Sequence, residues 1–249
     1  SRLRCRMVDI HCHILYGVDD GSDDLAETVE MLRLAERGGT VKVIATPHSN
    51  VPGSYRNYWC AELESRLALI NSELKREGVG IEVYPGQEIF TTTETARLLR
   101  EGKLITLNSS RYALVEFDFY EYSVEAYAMI GQIKAEGYVP IVAHPERYAF
   151  VCEEDDAAMR LKDLGCLLQV NKGSLKGSFG MRAKRAAYRL LDYGLADFVA
   201  SDAHSPYVRT PFLADAHEAI SVMYSRDYAD MLFITNPSLV LENKEIYGF

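Results

Sequence analysis

No apolar run in this 249-residue chain approaches the roughly 18–20 residues a helix needs to cross a bilayer. The opening "SRLRCRM" is basic but has no apolar secretory core. Residues 1–6 read as a native extension or tag remnant, with Met7 an alternative start, ahead of one domain over 7–249. No Pro/Gly/Ser-rich linker and no fixed-period repeat divides that domain, which has length enough for a single large core. Positive charge is scarce: 27 Lys and Arg against 36 Asp and Glu leave a net charge of −9. That balance argues against nucleic acid as a partner, and a phosphate-bearing substrate would have to find local positive charge. The five cysteines, Cys5, Cys12, Cys60, Cys152 and Cys166, form no CxxC pair. An odd, scattered set indicates reduced thiols and a cytoplasmic protein.

What is present alternates. Short Val- and Ile-rich runs predict strands at 7–11, 41–46, 81–86, 112–117, 139–144, 167–170 and 198–201. Between them lie helical patterns. One carries Leu25, Val29 and Leu32, with Ser22 as expected N-cap and Gly38–Gly39 as its end. A second, over 55–77, sets Trp59, Leu63, Leu67, Ile70 and Leu74 on one stripe. Others cover about 123–136, 154–164, 180–193 and 212–224. Strands alternating with helices imply parallel βαβ units, in a barrel or an open doubly wound sheet.

Five of the six histidines fall at or just beyond the C-terminal end of a predicted strand: His11, His13, His48, His144 and His204. Glu88 in "PGQEIF", Glu116 in "ALVEF" and Asp202 in "ASDAH" share that placement. In parallel α/β folds these ends open on one face, so distant residues would meet there. A lone histidine after a strand is an ordinary loop residue. A carboxylate inside an apolar run needs a cation, because burying it unpaired costs several kcal/mol. Imidazoles with carboxylates and no thiolate suit Mn, Fe, Zn or Mg-like ions. Cys12, between the first two histidines, should point across the strand into packing, and His217, inside a helical pattern, reads as a helix-surface residue.

The motifs "DIHCH", "TPH", "GQEI", "ALVEF", "AHPERY" and "ASDAH" run in this order over nearly the whole chain. Together they resemble the polymerase and histidinol phosphatase (PHP) superfamily. "DDGSDD" and "HPERY" narrow the resemblance to the manganese-dependent tyrosine-protein phosphatases of bacterial capsule and exopolysaccharide clusters. The resemblance implies an α/β single domain, a distorted seven-stranded (βα) TIM-like barrel holding three divalent metal ions, manganese first, with Fe, Zn or Mg as alternatives. By motif the ligands would be His11, His13, Asp20, His48, Glu88, Glu116, His144, Asp202 and His204, with Asp19 adjacent to Asp20 as an alternative. Arg147 and Arg209 would contact the substrate phosphate. The implied substrate is a phosphotyrosine protein, a bacterial tyrosine kinase of polysaccharide synthesis. "HCH" departs from the commoner "HSH", and "SNVPGSYRNYWC" after His48 has no clear counterpart.

Four ligand carboxylates carry −4 and three divalent ions +6, so the site would be cationic within an acidic chain. The expected reaction is in-line attack on phosphorus by hydroxide generated at the metals, with phenolate as leaving group. "CAELESR" matches the C-x5-R pattern of cysteine-dependent phosphatases, yet its two glutamates and helical stripe cannot cradle a dianion. Competing readings are a small-molecule enzyme such as histidinol-phosphate phosphatase, a PHP nuclease, disfavoured by the acidic surface, and a non-catalytic metal-binding module.

Overall fold

The computed structural model describes residues 5–247, so residues 1–4 of the expected extension lie outside the described residues. Every strand pairing is parallel. Strands β1 (Met7–Cys12), β2 (Thr40–Ala45) and β4 (Glu82–Pro85) form a sheet of order β1-β2-β4. Strands β3 (His48–Ser49), β5 (Glu88–Phe90), β6 (Tyr112–Glu116), β7 (Val139–Ala143), β8 (Leu167–Asn171) and β9 (Phe198–Ala200) form the other, in that order.

The expected count of seven strands is corrected to nine among the described residues, in two sheets, neither of which closes on itself. The two added strands, β3 and β5, lie beyond the predicted strands at 41–46 and 81–86, which appear as β2 and β4. β2 pairs β4 and β3 pairs β5 with one unchanged register offset of 40 residues. The interruption falls at Pro47, which has no N–H for a ladder, opposite Gly86–Gln87. At the other flank the sheets meet through one parallel bridge, Cys12 to Ala203, with Asp202 N–H donating to His11 O at 2.8 Å.

The alternation of β1 is broken as well. The β1–β2 register slips between Asp9 and Cys12, a bulge that adds one residue and re-aims the side chains beyond it. Val8 and Ile10 therefore join an inner cluster with Ile44, Leu114, Ile141 and Phe198, while Cys12 packs outward among the residues of α1 (Leu25–Arg37) and α2 (Ala61–Arg76). His11 and His13 are left on the inner side. The expectation for Cys12 holds, and the bulge is the reason.

Two helix starts are corrected. Asp24, not Ser22, caps α1, its carboxylate accepting from Glu27 N–H at 2.8 Å. Ser22 Oγ instead pairs with Thr28 Oγ1 at 2.7 Å and donates to Asp24 O. α2 begins at Ala61, so Trp59 precedes it; Leu63, Leu67, Ile70 and Leu74 form its buried stripe. Residues 50–57 fold back instead, with Val51 N–H donating to Tyr55 O at 2.8 Å and Asn57 Nδ2 donating to His48 O at 2.8 Å. The other helical patterns appear as α4 (Ser123–Ala135), α6 (Ala157–Asp163), α8 (Met181–Asp192) and α9 (Ala214–Met223). α3 (Thr95–Arg100), α5 (Ala149–Glu153), α7 (Lys172–Leu175), α10 (Arg226–Asp230) and α11 (Asn236–Leu241) are short additions. No helix is long and apolar enough to cross a membrane among the described residues.

Candidate metal centre

Seven of the nine expected ligand residues sit near the carboxyl end of a strand or on the loop that leaves it, and His48 and Glu88 open β3 and β5, just past the breaks that follow β2 and β4. Eight of them fall into three groups, within each of which one ligand atom per residue lies within 4.8 Å of the others: His11, His13, Glu88 and Asp202; His13, Asp20, His48 and His204; His48, Glu88 and Glu116. His144 stands beside them, its Nε2 2.9 Å from Glu88 Oε1 and 3.7 Å from Glu116 Oε2.

The innermost group is the tightest. His11 Nε2 lies 3.2 Å from His13 Nε2. Glu88 Oε2 lies 3.1 Å from each of those nitrogens, and Asp202 Oδ1 lies 3.2 and 3.1 Å from them. Donors bound tetrahedrally to one ion at about 2.0–2.2 Å stand about 3.3–3.6 Å apart, within a few tenths of an ångström of this arrangement. Glu88 Oε2, Asp202 Oδ1, His144 Nδ1 and His204 Nε2 are buried without a hydrogen-bond partner. Orphaned buried polar atoms are costly, and a divalent cation would satisfy them. The residues fit the metals that the motifs imply.

The ionisation pattern agrees. Burial opposes the charge on Glu88, but the His11 and His48 imidazoles outweigh it and hold this carboxyl well below its usual range. Burial and the neighbouring Glu88 charge push Glu116 up to about 7. Burial also opposes charging His48, yet Glu88 and Glu116 lift it to about 9. The field of this cluster favours positive charge held among carboxylates.

Outer partners aim the imidazoles. Asp19 Oδ2 lies 2.8 Å from His13 Nδ1 and accepts from His48 N–H at 2.9 Å. Asp19 is thereby committed behind the ligands, while Asp20 Oδ1 faces His204 Nε2 at 3.3 Å and His48 Nε2 at 3.5 Å. Gly21 explains the middle of "DDGSDD": a Cβ there would stand 2.4 Å from His13 O, so only glycine lets the loop pass this close. His11 Nδ1 meets Gln169 Oε1 at 2.7 Å; Gln169 Nε2 donates to Asn171 Oδ1 at 2.9 Å, and Asn171 Nδ2 donates to Asp202 Oδ2 at 2.7 Å. This chain ties one ligand to another through β8. Such partners fix the tautomer and orientation of ligating histidines. The reading from sequence missed Gln169 and Asn171, although a glutamine inside the apolar run "LLQVN" was the available signal. His144 and Asp202 carry positive φ of 37° and 47°, a strain of the kind that clusters at functional sites.

The two arginines divide. Arg209 NH2 donates to Asp202 Oδ2 at 2.8 Å. Arg147 has its guanidinium between two rings, 4.5 Å from the centre of Phe119 and 3.9 Å from that of Phe179. Both arginines line a cavity of about 300 Å³ over the ligand cluster, with Val51, Tyr55, Phe90 and Phe119 among its walls. Cys60 and Arg66 share no site: α2 runs between them, and Arg66 NH1 donates to Tyr16 O at 2.6 Å. His217 is corrected from a surface residue to a buried one, its Nε2 2.7 Å from Asp230 Oδ1.

A parallel α/β domain with imidazoles and carboxylates converging at its strand ends has the layout of a metal-dependent hydrolase. The family model described as capsular polysaccharide synthesis, CpsB/CapC, matches residues 7–242, and the chain belongs to that family. It is 37% identical over 241 residues to the tyrosine-protein phosphatase YwqE of Bacillus subtilis, covering 97% of this chain and 94% of that protein. It is 29% identical over 245 residues to the tyrosine-protein phosphatase CpsB of Streptococcus agalactiae, covering 96% of this chain and 100% of that one. A crystal structure from work on YwqE of B. subtilis and CpsB of Streptococcus pneumoniae, described as metal-dependent tyrosine phosphatases, superposes with TM-score 0.91 at 36% identity, covering 98% of this chain and 97% of that chain.

Proposed function

We propose that this chain is a metal-dependent protein-tyrosine phosphatase. The observation that carries the reading is the inner set of His11, His13, Glu88 and Asp202 donors at near-tetrahedral spacing, with buried oxygens that a divalent cation would satisfy. Membership of a family whose relatives are named tyrosine phosphatases supports the substrate class.

In this reading His11, His13, Glu88 and Asp202 would hold one divalent ion, Glu88 and Glu116 a second with His144 beside it, and Asp20, His48 and His204 a third, since His13 has only Nε2 to offer once Asp19 holds its Nδ1. Manganese is our first choice for all three. Such ions, when bound, supply a water whose pKa falls from about 15.7 toward ~7 and positive charge for the phosphoryl oxygens. Glu88 is the shared carboxylate of two groups and sets their spacing. Arg147 offers in-plane N–H donors to the phosphate, and Arg209 holds Asp202 in place while facing the same cavity. Phenolate, from a parent acid of pKa about 10, leaves without needing a strong general acid. The physiological substrate is a phosphorylated tyrosine kinase of polysaccharide synthesis. Cytoplasmic residence is consistent with five cysteines that form no disulfide. The two sheets are read as the wall of a distorted barrel broken at Pro47, on their shared register and the Cys12–Ala203 bridge.

The test is hydrolysis of p-nitrophenyl phosphate and a phosphotyrosine peptide by metal-analysed protein, with and without chelator. Activity should vanish on chelation and return with Mn²⁺. Activity that survives chelation and dies on alkylation of Cys60 would overturn the mechanism, and strong preference for histidinol phosphate would overturn the substrate class.

A further inference from the structure

We propose that Phe119 and Phe179 form an aromatic clamp that holds Arg147 as an unpaired cation aimed into the cavity, and that Phe179 couples Arg147 to Arg209. This inference rests on the phosphatase reading for the identity of its anion, but not for its geometry.

Arg147 differs from the other arginines near it. Arg182 pairs with Glu153 at 2.7 Å and Arg209 with Asp202 at 2.8 Å. Among the described residues the Arg147 guanidinium makes no salt bridge within 4.0 Å and no side-chain hydrogen bond, although the buried Glu146 carboxyl feels its charge. Phe119 and Phe179 hold it, at 4.5 and 3.9 Å from Cζ to the ring centres. A guanidinium has its donors in its plane and its π surface on its faces. Rings held against the guanidinium take up its π surface, its in-plane N–H groups are what it has left for hydrogen bonds, and Arg147 lines the cavity over the ligand cluster. The plane is fixed before any anion arrives, so binding one costs less side-chain entropy.

The clamp is itself anchored. Phe119 follows β6, three residues after Glu116. Phe179 lies in the turn between α7 and α8, where Gly177 and Gly180 take φ of 81° and 94°. Its ring seats on Gly173, where a Cβ would stand only 3.0 Å from Phe179 Cε2. The same ring lies 5.2 Å from Arg209 Cζ. One aromatic ring thus holds two cations near each other, which their mutual repulsion would oppose, and the pair forms an anion-binding edge of the cavity that the ligand cluster also lines. Phe119 and Phe179 are positioning residues that act through Arg147.

The experiment measures KM and kcat for p-nitrophenyl phosphate and, by calorimetry on Mn²⁺-loaded protein, the affinity for inorganic phosphate. Phe179→Ala should raise KM and weaken phosphate binding about 5- to 30-fold, the range of a cation–π contact, with kcat and bound metal within about 2-fold. Phe119→Ala should act in the same direction. Phe179→Tyr should retain wild-type values and Phe179→Leu should resemble Phe179→Ala, since leucine fills space without a π face. In an Arg147→Ala, Arg209→Ala background, Phe179→Ala should add less than about 2-fold. Unchanged phosphate affinity in Phe179→Ala, or full rescue by leucine, would overturn the clamp. A wild type that binds phosphate in a Phe179-dependent way but hydrolyses no aryl phosphate would support the clamp and overturn the phosphatase reading.

Discussion

The inner and outer parts of the ligand cluster are built differently. His11, His13, Glu88 and Asp202 are at most 2% exposed, and their imidazoles are held from behind by Gln169 and Asp19. At the rim, the Asp20 side chain is about half exposed (52%) and that of His48 is 18% exposed. Asp20 comes from a loop rather than a strand. Buried donors on strands hold their spacing without a ligand, whereas a solvated carboxylate on a loop must be ordered by the ion it binds. The inner ion should therefore bind most tightly and be lost last, while the rim should be where cations exchange.

The sharpest way to break this contrast is Glu88→Gln, which removes the charge shared by two groups while keeping the shape. Turnover should fall by at least about 10³-fold, beyond the roughly 10- to 100-fold typical of outer partners, and metal analysis should show loss of more than one ion. Gln169→Leu leaves all ligands in place but frees His11 Nδ1 and unhooks Asn171 from it. It should weaken the inner site about 10- to 100-fold, read as the chelator concentration that halves activity. Asp20→Asn should cost less, about 10-fold in activity, and excess Mn²⁺ should restore most of it. If Asp20→Asn lowered metal content as far as Glu88→Gln, the distinction between inner and rim sites would be wrong.

The smallest effect lies outside the site. Asp197 accepts from Leu168 N–H at 2.8 Å and pairs with Lys162. Burial pushes its carboxyl up despite Lys162, so the folded state holds this proton more tightly than the unfolded chain. Its contribution is fully present below the unfolded carboxyl pKa, about 3.9, and is lost as pH rises through the folded value. Stability of Asp197→Asn relative to wild type should therefore increase with pH above about 4 and then level off, measured by urea unfolding across pH 4–8. A difference that shrinks as pH rises would reverse the assignment.

Eight of the nine candidate ligands were legible because each stands at or just beyond the end of an apolar run, and parallel strands bring those ends together; Asp20, on the loop after β1, rested on the resemblance alone. Asp19 and Asp20 could not be told apart by spacing alone; in the structure Asp19 Oδ2 faces His13 Nδ1, while Asp20 Oδ1 faces His48 and His204. The break at Pro47 was visible as a residue, but its effect on the strand count depends on what pairs opposite it. Asp24 rather than Ser22 caps α1 because the Ser22 hydroxyl is taken by Thr28 and Asp24 O. His217 looked exposed on its own helix, and the packing of Asp230, Phe233 and Cys5 around it buries it. Phe179 gave no signal, because its role exists only where two arginines from other segments meet its ring.

Anomalous diffraction at the manganese edge, from crystals grown in Mn²⁺, tests the central claim most directly. A peak is expected within about 2.0–2.3 Å of His11 Nε2, His13 Nε2, Glu88 Oε2 and Asp202 Oδ1 together, persisting at Mn²⁺ concentrations where rim peaks fade. Well-ordered density for those four side chains with no peak between them at saturating Mn²⁺ would contradict the account.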